Sequence, residues 1–195
     1  TLGGMCSSAR SSVNPADCPD QVFELYSIPA FDSGDGPELI PGREILSNKL
    51  KLSEDCVLVS KLNPRKHRVW LVRPQSEYAI CTPEFAVLVP KTPQFLDYLY
   101  LFCKSREFQA HLVTHATGST GSRQRVKVRD VLFCPAVIPS SDAAELIGNV
   151  AGPLHQLIQS FTQETKSLQT YLGSVFDVLA APHASAQSEK GVPRT

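Results

Sequence analysis

The spacing of apolar positions changes twice along the chain. Up to about residue 90 they come in short runs or alternate with polar ones. "VFELYSIPAF" (22–31) alternates and carries aromatic and β-branched residues, which predicts a strand. "CVLVS" (56–60), "RVWLVR" (68–73) and "FAVLV" (85–89) predict three more. Residues 1–20 are small and polar and predict a lead-in loop. "DSGDGPELIPG" (32–42) is dense in Gly, Pro and Asp and predicts another. After Thr92 the period lengthens. In "TPQFLDYLYLFCKS", Phe95, Leu96, Leu99 and Phe102 share a helical stripe, with Thr92 placed as N-cap and Pro93 at the first helical position. "REFQAHLVTHA" predicts a second helix. "RVKVRDVLFCPAVIP" (125–139) predicts a strand running into a Pro-punctuated connector.

Past Pro139 the period becomes that of a heptad. Ile147, Leu154, Phe161, Leu168 and Val175 fall at one heptad position, and Val150, Leu157, Tyr171 and Val178 at the other. Only the slot at Glu164 is polar. A 3.5-residue period held for four heptads is the pattern of a coiled-coil seam. Asp142 and Glu145 have capping-box spacing at its start. Gly152-Pro153 predicts a kink or a short first helix. The expected organisation is a globular α+β unit over 1–139, a long heptad helix over 140–180 and a disordered polar tail over 181–195. A helix of about 38 residues would be about 57 Å long. That length outruns a globule of this size, so its apolar stripe calls for a second copy, another domain or a partner.

Composition adds limits. The 195 residues are 42% hydrophobic, enough for a core without metal or disulfide support. Nineteen basic and nineteen acidic residues give no net charge, so only the local distribution can point to a polyanion. None of the six cysteines forms a CxxC pair. Cys56, Cys103 and Cys134 sit in apolar runs as small core residues. The expectation is a reduced, cytoplasmic protein without a disulfide framework. No apolar run approaches the roughly 20 residues that span a bilayer, and the N-terminus does not have the pattern of a signal peptide. The chain does not begin with Met, and is expected to be trimmed or cut from something longer.

The candidate chemistry lies in two basic stretches. "ATGSTGSRQRV" (116–126) is not a P-loop, because Ser122-Arg123 follows the last glycine and a helix precedes it. Nor is it a nucleophile elbow, which needs G-x-S-x-G. Its small residues, Ser119 and Thr120 among them, let a backbone approach a phosphate closely. Arg123, Arg125, Lys127 and Arg129 follow, with no acid over 112–129. "KLNPRKHRVWLVR" (61–73) holds Lys61, Arg65, Lys66, Arg68 and Arg73, also without an acid. The acids concentrate elsewhere, at Asp17, Asp20, Asp32, Asp35, Glu38 and Glu44. A neutral chain with segregated charge can present one positive face. His111 and His115 have the i,i+4 spacing of a zinc helix but lack its glutamate and a third ligand. No catalytic residue, metal site or cofactor is expected.

Taken in order, "FELYSIPAFDSGDGPELIPG", "VLVSKLNPRKHRVWLV", "TPEFAVLVP" and "ATGSTGSRQRVKVRDVLFCPAVIP", followed by a heptad helix, resemble a target recognition domain. The family is that of the DNA specificity subunits of type I restriction-modification systems. The resemblance covers residues 20–179 and implies a non-catalytic reader of a bipartite site in double-stranded DNA. In that family two recognition domains are held apart by antiparallel helices, and separate methyltransferase and restriction subunits supply the chemistry. This chain has one domain and one helix, as in half a subunit. The resemblance therefore implies a homodimer through the helix, or a fragment. It also implies DNA contacts from Lys61, Asn63, Arg65, Arg68, Ser119, Thr120, Arg123, Gln124 and Arg125. Asn63 and Gln124 have the amide chemistry to read adenine in the major groove. An alternative is a protein-binding scaffold of another defence complex, which would not need two acid-free basic stretches. A DNA-modifying enzyme would need a methyl-donor motif or an NPPY-like tetrapeptide, and "LNPRK" lacks the aromatic residue.

Overall fold

The segment Cys56–Ser60 is buried along its whole length, on both faces. An alternating strand turns successive side chains to opposite sides, so a run buried at every position marks the middle of a layered structure. The chain is a computed structural model that describes residues 1–118 and 123–180. Its strands are β1 (Cys6–Ala9), β2 (Ser12–Val13), β3 (Val22–Tyr26), β4 (Glu38–Pro41), β5 (Lys49–Lys51), β6 (Cys56–Ser60), β7 (Val69–Val72), β8 (Ala79–Cys81) and β9 (Phe85–Pro90). Its helices are α1 (Ile28–Ser33), α2 (Leu96–Lys104), α3 (Arg106–Thr114), α4 (Val128–Leu132) and α5 (Ser141–Ala180). The expected α+β class is the one found.

One sheet is four-stranded and antiparallel, in the order β1-β9-β6-β7. The other is five-stranded, in the order β2-β5-β8-β3-β4, with β3 and β8 parallel. Val57 and Val59 of β6, with Leu71 of β7 and Leu88 of β9, face α2 and α3, where Leu99, Phe108 and Leu112 are fully buried. Cys56 and Leu58, with Val72, Phe85 and Val87, face the second sheet, packing on Tyr26, Leu52 and Cys81. A small third cluster, Phe23, Leu25, Ile45 and Ile80, covers the far side of that sheet. Each such side chain contributes roughly 1.5–3 kcal/mol on burial. Five of the six cysteines are buried in these layers; Cys18 is exposed.

Four local expectations are corrected. The strand expected over 22–31 ends at Tyr26, because Ser27 caps a helix by accepting the N–H of Ala30 at 3.1 Å. Residues 1–20 are not all loop: β1 pairs with β9, from Cys6 opposite Pro90 to Ala9 opposite Val87. Within the expected loop 32–42, β4 pairs with β3. The strand expected after Arg125 is instead α4, whose Val131 fills the first core.

The start of α5 is capped by Ser140, whose Oγ accepts the N–H of Ala143 at 3.3 Å, and not by Asp142. Pro153 lies inside the helix, so no short first helix forms. Gly148 and Gly152 sit beside Asp97 of α2; a Cβ on Gly148 would lie 3.1 Å from its carboxylate. With the fully buried Ala144, they fix the first turns of α5 to the sheet domain. By its contacts the chain divides into two compact units, Thr1–Pro153 and Leu154–Thr195. The expected tail, 181–195, lies outside the described residues.

Candidate nucleic-acid interface

The turn after β6 is built by short-range hydrogen bonds. Ser60 Oγ donates to the Leu62 carbonyl at 3.0 Å and accepts the Leu62 N–H at 3.2 Å. Asn63 has φ +45°, the left-handed region that asparagine tolerates better than most residues, and its carbonyl accepts the Lys66 N–H at 2.8 Å. Two helices hold the turn from outside. Gln109 of α3 donates to the Arg65 carbonyl at 3.0 Å. His67 donates from Nε2 to the carbonyl of Cys103, at 2.7 Å. Burial pushes the His67 pKa below its usual value, which favours this neutral donor.

The second basic stretch closes on the first. Thr117 and Arg125 exchange backbone hydrogen bonds of 2.9 and 2.8 Å, pinching the base of the loop. The Val126 N–H reaches the Lys61 carbonyl at 2.9 Å, and the Asn63 N–H reaches the Gln124 carbonyl at 2.9 Å. Gly118 has φ +131°, and a Cβ there would lie 2.8 Å from the Arg123 carbonyl. Only glycine meets both conditions. The two acid-free stretches are therefore one platform, bonded backbone to backbone. Ser119 and Thr120 lie outside the described residues.

The platform does not use all its cations alike. Arg65, Arg123 and Arg125 are exposed. Lys61 is half-buried; burial pulls its pKa down, Glu84 opposes this, and Arg125 and Arg10 push the same way as burial. Arg68 is 8% exposed, and its guanidinium holds Asp32 through two hydrogen bonds of 2.6 and 2.7 Å. Arg73 bridges Asp55 at 3.6 Å and Asp97 at 3.4 Å. Charge segregation along the sequence is thus partly undone in the fold: Arg68 and Arg73 tie elements together. The Gln124 Oε1 is buried and accepts no hydrogen bond among the described residues.

Beside the platform lies an open cleft of about 570 Å³, lined by Arg10, Lys61, Thr117, Arg125, Lys127 and Arg129. Sequence reasoning missed Arg10. It follows β1, and the pairing of β1 with β9 brings it there; nothing in "SSARSSVN" marks it. A concave surface with several cations and no lining carboxylate suits an anion. His111 hydrogen-bonds the Asp130 carbonyl from Nε2 at 2.8 Å and stacks on His115, with ring centroids 4.1 Å apart. Among the described residues no group of three or more His, Cys, Asp or Glu could hold a metal ion.

The expected seam residues lie along α5. Val150, Leu154, Leu157, Phe161, Leu168, Tyr171 and Val178 are each more than half exposed, while Ile147 and Val175 are half-buried. Ile158 and Leu172 widen the stripe on one side. Among the described residues no helix is long and apolar enough to cross a membrane.

No protein-family model matches the chain, and no curated protein does. Solved structures do. The fold is similar to that of the HsdS subunit from Thermoanaerobacter tengcongensis, with a TM-score of 0.61, 20% identity and 97% of this chain covered. It is also similar to a chain from a structure of complex assembly and conformational transition in the type I R-M system, with a TM-score of 0.64, 21% identity and 97% coverage. The chain spans about half the length of each, 50% in both cases. An α+β domain followed by a long helix, the fold expected from the resemblance, is the fold these structures share with it.

Proposed function

We propose that this chain is a non-catalytic, sequence-specific DNA-recognition half of a type I restriction-modification specificity subunit. The observation that carries the reading is the backbone union of the two basic stretches, on a fold like that of HsdS. In this reading residues 1–139 read DNA, and the helix over 140–180 joins and spaces two such domains. Lys61, Asn63, Arg65, Arg123 and Arg125 face the duplex, and Ser119 and Thr120 are further contacts of this reading, while the buried Oε1 of Gln124 turns that side chain inward. Arg68 supports them through Asp32 and does not itself touch DNA. Positioning by phosphate contacts and reading by base edges then divide among these residues. The partners are a second copy through the helix, a methyltransferase subunit and a restriction subunit, in the cytoplasm.

α5 has 40 residues, about 60 Å at 1.5 Å per residue. That spans one to two turns of DNA, the scale of a gap between half-sites. The second reading is the protein-binding scaffold; the exposed apolar stripe of α5 favours it no less, but a scaffold would not need the basic platform.

Selection from a random pool of duplexes by the purified chain tests the proposal. It predicts enrichment of a short defined sequence, repeated in inverted orientation across a fixed gap. Recovery of unenriched DNA, or of none, supports the scaffold instead.

A further inference from the structure

The sequence leaves open which cations hold phosphate and which read bases. The cleft beside the platform separates them. Its cations come from three places in the chain: Arg10 after β1, Lys61 after β6, and Arg125 and Lys127 before α4 with Arg129 in its first turn. In that segment the cations alternate with Gln124, Val126 and Val128. Val126 is buried in the first core and Val128 packs against it, while Arg125 and Lys127 on either side of Val126 are exposed. Arg129 is paired with Asp130 at 3.2 Å. Arg10, Lys61, Arg125 and Lys127 make no ion pair among the described residues. Burial disfavours the charged form of Lys61, Glu84 opposes this, and the neighbouring Arg125 and Arg10 add to it. An assembly of like charges around an open space is relieved by a ligand of opposite charge.

We propose that this cleft seats the phosphodiester backbone of duplex DNA, with Arg10 and Lys127 as phosphate contacts. Base reading is then left to the turn at Asn63 and to its neighbour Arg123. The proposal rests on the DNA-recognition reading and divides its labour. A backbone seat is indifferent to sequence, so no target sequence is needed to test it.

The test uses the full chain and two duplexes of unrelated sequence, with affinity followed against salt. Arg10→Gln and Lys127→Gln are predicted to weaken both duplexes equally. Each should lower the slope of log affinity against log salt by about one. Arg10→Lys should keep the slope, and Arg43→Gln, which removes an exposed cation away from the cleft, should leave it unchanged. Both cleft residues are exposed, and an unaltered melting curve shows that each variant is folded. If the wild type binds duplex with a steep slope that neither Gln variant changes, the cleft assignment fails while the DNA reading stands. If the wild type binds no duplex at low salt, both fail. A calorimetric titration with inorganic pyrophosphate separates a backbone from a free anion: a saturable micromolar site would assign the cleft to the small anion and overturn the proposal.

Discussion

The backbone N–H of Asn63 donates to the carbonyl of Gln124 at 2.9 Å, joining two stretches that are far apart in the sequence. The bond needs Asn63 at φ +45° on one side and a loop turned at Gly118 on the other. Asn63→Val puts a β-branched residue in the left-handed region, at a cost of about 1–2 kcal/mol. Gly118→Val adds a clash with the Arg123 carbonyl to an unfavourable φ. Chemical denaturation is expected to show both losses, the second the larger. Hydrogen exchange should then show faster exchange at Asn63 and Arg125, with the strands of the four-stranded sheet unchanged. Uniform acceleration across the sheet would mean that the platform is not a local unit.

Arg65 and Arg123 are exposed and lie within two residues of that bond. Arg65→Ala and Arg123→Ala are each predicted to weaken duplex binding and to reduce its salt dependence. Titrations at two salt concentrations read this directly. Affinity and salt slope both equal to wild type in both variants would make these arginines ordinary solvated surface.

The sequence made the centre of the fold legible and its margins not. β6, β7 and β9 are apolar at nearly every position because both faces are buried, and such runs stand out. α2 showed through its stripe of Phe95, Leu96, Leu99 and Phe102. β1 ("CSSA") and β5 ("KLK") carry almost no strand signal of their own; pairing with β9 and β8 makes them strands. α4 reads as a strand because Val128, Val131 and Leu132 are β-formers or apolar, although their i, i+3, i+4 spacing was a helical clue. α1 could have been found from Ser27, Pro29 and Gly34, a cap, a first-turn proline and a left-handed C-terminus. At the site, the two basic stretches were visible and their union was not, since hydrogen bonds between distant backbones leave no mark in composition. The engagement of Arg68 by Asp32 was hidden for the same reason.

That ion pair predicts a pH dependence. The Arg68 guanidinium beside Asp32 holds its carboxyl below the usual carboxylate range. A group whose pKa is lower when folded stabilises above its unfolded value, and the gain is lost as pH falls through the folded one. Asp32→Asn should therefore cost about 1–2 kcal/mol at neutral pH, discounted because the Asp32 side chain is 46% exposed. The difference from wild type should shrink below about pH 4. Urea denaturation over a pH series measures it; a difference that persists undiminished in acid would show that Asp32 acts by shape and not by charge.

The stripe on α5 predicts association. Leu157 and Phe161 are 51% and 58% exposed in the single chain, an apolar surface of the kind that seeks a partner. We expect a two-fold dimer with antiparallel helices. Replacing both residues with Asp places charge in the seam and should cost about 3–5 kcal/mol, enough to give monomers. Sedimentation of wild type and double mutant decides the matter. A wild type that stays monomeric at tens of micromolar, roughly the range in which weak interfaces assemble, assigns the stripe to another protein or to a second half of a longer chain.

Sequence-specific recognition is the central claim, and the ratio of two affinities tests it most directly. The purified chain is titrated at one fixed salt concentration with its selected duplex and with a scrambled duplex of the same length and composition. The account predicts a preference of about a thousandfold or more for the selected sequence, the range of specific DNA readers. Equal affinity for the two duplexes would contradict it.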